Sequence, residues 1–154
     1  MKTISSFLAA DHARCDALLS LTREAVRIHD WSEATRNLSA FARTANRHLS
    51  MEEDIVFAAY EQGLGHPSEP CAMLRSEHRL IRGMAVRMAD ALDQADGLSF
   101  YMHADTLRIL LHQHGEKEEG VLYPAIERLL APRLSELIDA MARFVQVDPA
   151  GSAA

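Results

Sequence analysis

Apolar residues recur along this chain at alternating steps of three and four, the period of an α-helix with one buried face. The first stripe is Ile4, Leu8, His12, Cys15, Leu19, Thr22 and Val26, which predicts a helix over roughly 4–28. Asp30-Trp31-Ser32 interrupts it, and Ser32 is the expected N-cap of a second helix to about Gln62, along Leu38, Phe41, Ala45, His48, Glu52, Ile55 and Ala59. Gly63, Gly65, Pro67 and Pro70 separate this from a third stripe of Cys71, Leu74, His78, Ile81, Ala85, Met88 and Leu92. Beyond Gly97, with Ser99 as the expected cap, the fourth carries Phe100, Ala104, Leu107, Leu111, His114, Glu118, Val121 and Ala125. Pro124 crowds the carbonyl of Gly120, so a bend is expected there, and Pro132 opens a short fifth helix to about Val145. No stretch alternates with period two.

Short loops favour antiparallel neighbours. The expected fold is therefore all-α: one domain over residues 1–146, an up-down-up-down antiparallel four-helix bundle with a short C-terminal fifth helix, followed by a disordered tail over 147–154.

The polar exceptions within the stripes carry the chemistry. Each of the four long helices places one histidine on its inner face, and two add a glutamate one turn later, giving His12, His48-LSM-Glu52, His78 and His114-GEK-Glu118. The pattern repeats at an offset of 66 residues, which maps Leu8 onto Leu74, His12 onto His78, His48 onto His114, and Glu52-Glu53 onto Glu118-Glu119. Depth agrees, because His12 and His48 are equidistant from the turn at position 30, about 27 Å away at 1.5 Å per residue. His48 and His78 are likewise centred on 63, and His78 and His114 on 96. All six side chains are thus expected in one layer. Two facing buried carboxylates are strongly disfavoured unless cations neutralise them, so the layer is a candidate two-metal site. Each metal would take two imidazoles and share the carboxylates, leaving room for an oxo or hydroxo bridge and an outside ligand. Such nitrogen and oxygen ligation without thiolate suits iron, manganese or zinc.

Composition narrows the partners. The net charge is −6 with no Lys/Arg block, which disfavours nucleic acid and anionic membranes. No apolar run approaches the ~20 residues of a membrane span and the N-terminus lacks a signal-like apolar core, so a cytoplasmic protein is expected. Cys15 and Cys71 form no CxxC pair, and helix rise separates them by about 15 Å, so they are expected unpaired in a reducing compartment.

With His48-LSM-Glu52-Glu53, His114-GEK-Glu118-Glu119-GVLYP and the lone His12 and His78, the chain resembles the hemerythrin-like HHE cation-binding family over roughly residues 4–130. The resemblance implies a di-iron centre that binds dioxygen, nitric oxide or peroxide, with Glu52 and Glu118 bridging. Oxygen-carrying members have a further histidine where this chain has Arg82. The symmetric arrangement is closer to bacterial proteins linked to iron–sulfur repair under nitrosative stress, without their cysteine-bearing N-terminal domain.

Other residues receive plainer readings. Glu53 and Glu119 lie about 100° off the seam and are expected to be solvated or to accept from ligand N–H groups. His29, His66, His103 and His112 read as surface residues. Cys15 and the methionines Met73, Met84 and Met88 read as packing, and Tyr60 and Tyr123 as bundle tyrosines with hydroxyls reaching water. The leading functional expectation is a di-iron protein that binds or senses dioxygen or nitric oxide, with an unidentified redox partner. The alternative is an iron-dependent enzyme or trafficking factor acting in peroxide or nitric oxide removal or cluster repair. A third is a helical interaction module whose histidine layer is structural or holds zinc.

Overall fold

The computed structural model describes residues 2–147, and every regular element among them is helical. A first run, α1 (Ile4–Arg27), opens on a capping box in which Thr3 Oγ1 accepts from the Ser6 amide and Ser6 Oγ accepts from the Thr3 amide. The second run joins α2 (Trp31–Met51), a π-helical segment Glu52–Phe57 and α3 (Ala58–Leu64). Next comes α4 (Glu69–Asp93), capped by Ser68. The fourth run joins α5 (Gly97–Lys117), a π-helical segment Glu118–Leu122 and α6 (Tyr123–Leu129). A 3₁₀ turn, Ala131–Arg133, leads into α7 (Leu134–Val147). The predicted fifth helix is therefore present, starting just after Pro132. Val147 is still helical, and the rest of the predicted tail lies outside the described residues.

The expected caps Ser32 and Ser99 are corrected to Asp30 and Asp96, whose carboxylates accept from the Glu33 and Ser99 amides at 3.0 Å. In both turns the preceding residue, His29 (φ 59°) or Ala95 (φ 51°), is left-handed. The Asp30 amide then donates to the Ala25 carbonyl and the Asp96 amide to the Ala91 carbonyl, both at 2.9 Å. These residues stand 66 apart, so the internal repeat extends through the turns as well as the helices.

The two π-helical segments also occupy equivalent positions and shift the helical phase. An α-helical reading buries Val121 and half-exposes its successors. In the structure Val121 is 68% exposed and Leu122, Tyr123 and Ile126 are buried. The expected Val121/Ala125 continuation of the fourth stripe is therefore corrected. Just before Pro124, where a bend is expected, the run changes pitch over this π-helical segment. Proline is not its general cause, because the equivalent of Pro124 in the first half is Ala58, beside an equally π-helical Glu52–Phe57.

Helix α1 packs on α2, α4 on α5 and α2 on α4, with a sparser α1–α5 seam closing the ring. Two apolar clusters result. One gathers Leu19, Phe41, Met88, Phe100 and Leu107, and the other gathers Ile4, Leu8, Phe57, Leu74, Ile126 and Met141. Helix α7 covers the second. Met88 is core and Met84 packs beside it, but Met73 is 48% exposed, contrary to its reading as core. Between the clusters lies a polar layer.

Candidate metal centre

That layer brings the six predicted residues together. Glu52, His78, His114 and Glu118 place ligand atoms within 4.8 Å of one another, as do His12, His48 and Glu118. The four runs deliver them from their inner faces, His12 from the first, His48 and Glu52 from the second, His78 from the third and His114 and Glu118 from the fourth, and the clusters on either side keep Glu52, His78 and Glu118 fully out of water.

The imidazoles converge through Nε2. His12 Nε2 lies 3.1 Å from His48 Nε2 and 3.2 Å from Glu118 Oε2. On the other side, His114 Nε2 is 2.8 Å and His78 Nε2 3.8 Å from Glu118 Oε1. Glu118 thus offers one oxygen to each histidine pair. Glu52 Oε2 is 3.5 Å from His48 Nε2 and 3.3 Å from His78 Nε2. Donors bound at about 2 Å to a common ion sit roughly 3 Å apart, so these separations suit the edges of two adjoining coordination shells. Glu52 Oε2, His78 Nε2, His114 Nε2 and Glu118 Oε1 are buried without a hydrogen-bond partner. Buried orphan atoms are costly, and four of them facing one another form a donor set suited to a cation.

The Nδ1 atoms face outward onto carboxylates. His12 donates to Glu119, His78 to Glu53 and His114 to Glu77, each at 2.7 Å, while Asp11 Oδ2 lies 3.5 Å from His48 Nδ1. A proton fixed on Nδ1 leaves the Nε2 lone pair for a metal. Glu53 and Glu119 therefore sit as expected for acceptors behind the ligands. Asp11 and Glu77 are the participants that stripe reading missed. Each immediately precedes a lone histidine and the two stand 66 apart, so the repeat itself was the available signal. Arg82, in place of a further histidine, donates to Glu53 Oε1 at 2.9 Å.

Tyr123 departs from expectation. Its hydroxyl was expected to reach water, yet the residue is fully buried, donates to Glu52 Oε1 and lies 3.0 Å from Glu118 Oε2. The π-helical phase shift turns it inward. Its repeat equivalent is Phe57, and each ring stacks on a lone histidine: Tyr123 on His12 at 6.4 Å and Phe57 on His78 at 5.7 Å. Tyr60 remains at the edge of the second cluster.

Electrostatics reflect this crowding. Burial alone would lower the His12 and His78 pKa values. Hydrogen bonds that His12 donates to Glu118 and Glu119, and His78 to Glu118, Glu52 and Glu53, override it and raise both to about 9. Burial would raise Glu118, but His114, His12 and His78 hold it well below the usual carboxylate range. Burial and the two carboxylates push Tyr123 well above the ordinary phenol, so it stays protonated. Burial, with Asp11 and Asp16, raises Cys15 to about 12, an inert thiol; both cysteines are buried and free.

One edge of the centre is open. A cavity of about 740 Å³ between α1 and α5 is bordered by His12, His48 and His114 at its inner end.

Comparison with known proteins gives a match to the family described as hemerythrin HHE cation binding domain over residues 3–126. An uncharacterized hemerythrin-like protein of Schizosaccharomyces pombe is 27% identical over 132 residues, covering 85% of this chain and 63% of that protein. The chain thus spans less than two thirds of that relative's length. No solved structure matches. No helix among the described residues is long and apolar enough to cross a membrane.

Proposed function

The chain belongs to the hemerythrin HHE cation-binding domain family, and from that premise we propose that it is a non-haem di-iron protein that binds or senses a small oxidant, dioxygen or nitric oxide. The helical ring is read as an up-down-up-down antiparallel four-helix bundle forming one domain. His12 and His48 would hold one iron and His78 and His114 the other, with Glu118 and Glu52 supplying carboxylate oxygens to both. The observation that carries this reading is the set of four buried, partnerless donor atoms aimed at one another while the opposite ring nitrogens are tied to carboxylates. Zinc and manganese satisfy the same donors, and iron is preferred because the family resemblance implies it.

Bound iron supplies a redox-active Lewis acid for the oxidant. The chain's own residues do the rest. The Nδ1–carboxylate hydrogen bonds of His12, His78 and His114 fix those three tautomers, Arg82 and Lys117 hold Glu53 and Glu77 in place, and the apolar clusters exclude water from both sides. The α1–α5 cavity gives a small molecule access to the His12 edge. Tyr123 keeps a proton beside Glu52 Oε1 and Glu118 Oε2. That proton favours a second reading, turnover of peroxide or nitric oxide, since reduction of either consumes protons.

The test is anaerobic titration of the reduced protein. Stoichiometric, reversible uptake of dioxygen or nitric oxide, followed in the visible spectrum, is expected for binding or sensing. Steady consumption of peroxide or nitric oxide with added reductant would establish turnover instead, and indifference to all three would contradict both.

A further inference from the structure

The internal repeat supplies a comparison within the molecule, because each half provides the other's control. Three of the four carboxylates behind the histidines are themselves clamped by a cation. Arg47 Nη2 donates to Asp11 at 3.0 Å, Arg82 Nη1 to Glu53 at 2.9 Å, and Lys117 pairs with Glu77. The fourth, Glu119 behind His12, has no cation partner among the described residues, and its side chain is 48% exposed. The residue equivalent to Arg82 at the repeat offset of 66 is Asp16, which presents the wrong charge.

Three further differences fall on the same side. His12 is the one ligand histidine whose side chain is substantially exposed, at 22%, against 4%, 0% and 3% for His48, His78 and His114. The α1–α5 cavity borders both His12 and His48 but, of the other pair, only His114. Finally, the aromatic ring stacked on His12 is Tyr123, whose hydroxyl already engages Glu118 Oε2, the oxygen nearest His12. Phe57, stacked on His78, offers no such competitor.

We infer that the two metal positions, alike in ligand type, are unequal in strength: the His78/His114 position retains its ion, while the His12/His48 position exchanges its ion with solvent through the α1–α5 cavity. The source of the inequality is the unsupported Glu119 and the competing Tyr123 hydroxyl. A carboxylate held by an arginine keeps its histidine oriented, whereas a solvated one lets the ring move, and loss of such outer partners typically costs 10- to 100-fold in metal affinity. The inference rests on the di-iron reading and assigns the exchangeable ion to one half of the repeat.

The experiment loads the full chain with iron(II) anaerobically, records the stoichiometry, and follows removal by excess bipyridine. Two phases of one iron each are expected. Glu119→Gln should accelerate the fast phase about tenfold and leave the slow phase unchanged. Asp16→Arg, which restores the charge present in the other half, should slow the fast phase several-fold. Arg82→Ala should accelerate only the slow phase. Loss of both irons in one phase, or acceleration of the same phase by Glu119→Gln and Arg82→Ala, would overturn the inference while leaving the di-iron reading intact. A chain that never holds two metals would overturn both. Circular dichroism melts of each variant distinguish a changed site from a failed fold.

Discussion

At the residue scale, Tyr123 shows most directly how local packing becomes chemistry. Its hydroxyl engages Glu52 Oε1 and Glu118 Oε2, two buried carboxylates that otherwise face only the ligand histidines. Removing that donor from the metal-free chain should cost about 1–3 kcal/mol, the penalty for leaving buried acceptors unsatisfied. Tyr123→Phe also makes the His12 side resemble the Phe57 side and frees Glu52 Oε1. Urea unfolding should therefore show the metal-free variant weakened by that amount and the iron-loaded variant nearly unaffected. An equal loss in both forms would mean that the ring's packing, not its hydroxyl, is the relevant contribution.

The carboxylates behind the histidines act one bond further out. Glu77 holds His114 Nδ1 and is itself paired with Lys117. Glu77→Gln keeps the volume but weakens the acceptor, so apparent iron affinity is expected to fall 10- to 100-fold in a competition titration. Unchanged affinity would show that His114 needs no such support.

At the scale of elements, the helices, their order and the six inward residues were legible because periodicity and the 66-residue repeat carry that information. What was not legible was the pitch. Six residues in one run and five in the other are π-helical, starting at Glu52 and Glu118, and a pitch of 3.6 residues per turn carries the fourth stripe from Glu118 onto the exposed Val121, while Ala59 in the first half stays buried. This is why the stripe places Val121 inside, whereas Tyr123 is read as reaching water from the general habit of bundle tyrosines. The caps were misplaced for a different reason: Ser32 and Ser99 are adequate caps, but Asp30 and Asp96 come first once His29 and Ala95 adopt left-handed backbone. The same turn yields a stability prediction. Ala95 at φ 51° has no side-chain reason to be there, and Ala95→Gly should stabilise the chain by about 0.5–1 kcal/mol in denaturant unfolding. A loss of stability would mean that the entropy of the unfolded chain outweighs the relief of the turn.

At the scale of the whole molecule, a charged layer between two apolar clusters ties folding to metal and to pH. In the metal-free chain, His12 and His78 bind protons more tightly folded than unfolded, with values raised from 6.5 to about 9. Their contribution is full below pH 6.5 and is lost as the pH rises through about 9. Glu118, held low, contributes above its ordinary value of 4.5 and loses that contribution on acidification. Metal ions bound by these histidines would replace those protons. The melting temperature of the metal-free chain should therefore fall between pH 6.5 and 9 while that of the loaded chain holds steady, and parallel profiles would contradict the linkage.

The central claim is that His12, His48, Glu52, His78, His114 and Glu118 hold a pair of irons. The most direct test is metal content with a visible spectrum on protein purified with iron available, alongside His114→Ala and Glu118→Ala. About two irons per chain with the charge-transfer bands of a bridged ferric pair, and loss of both iron and bands in the variants, is the predicted result. Zinc or no metal in the parent chain, with variants of equal stability, would contradict it.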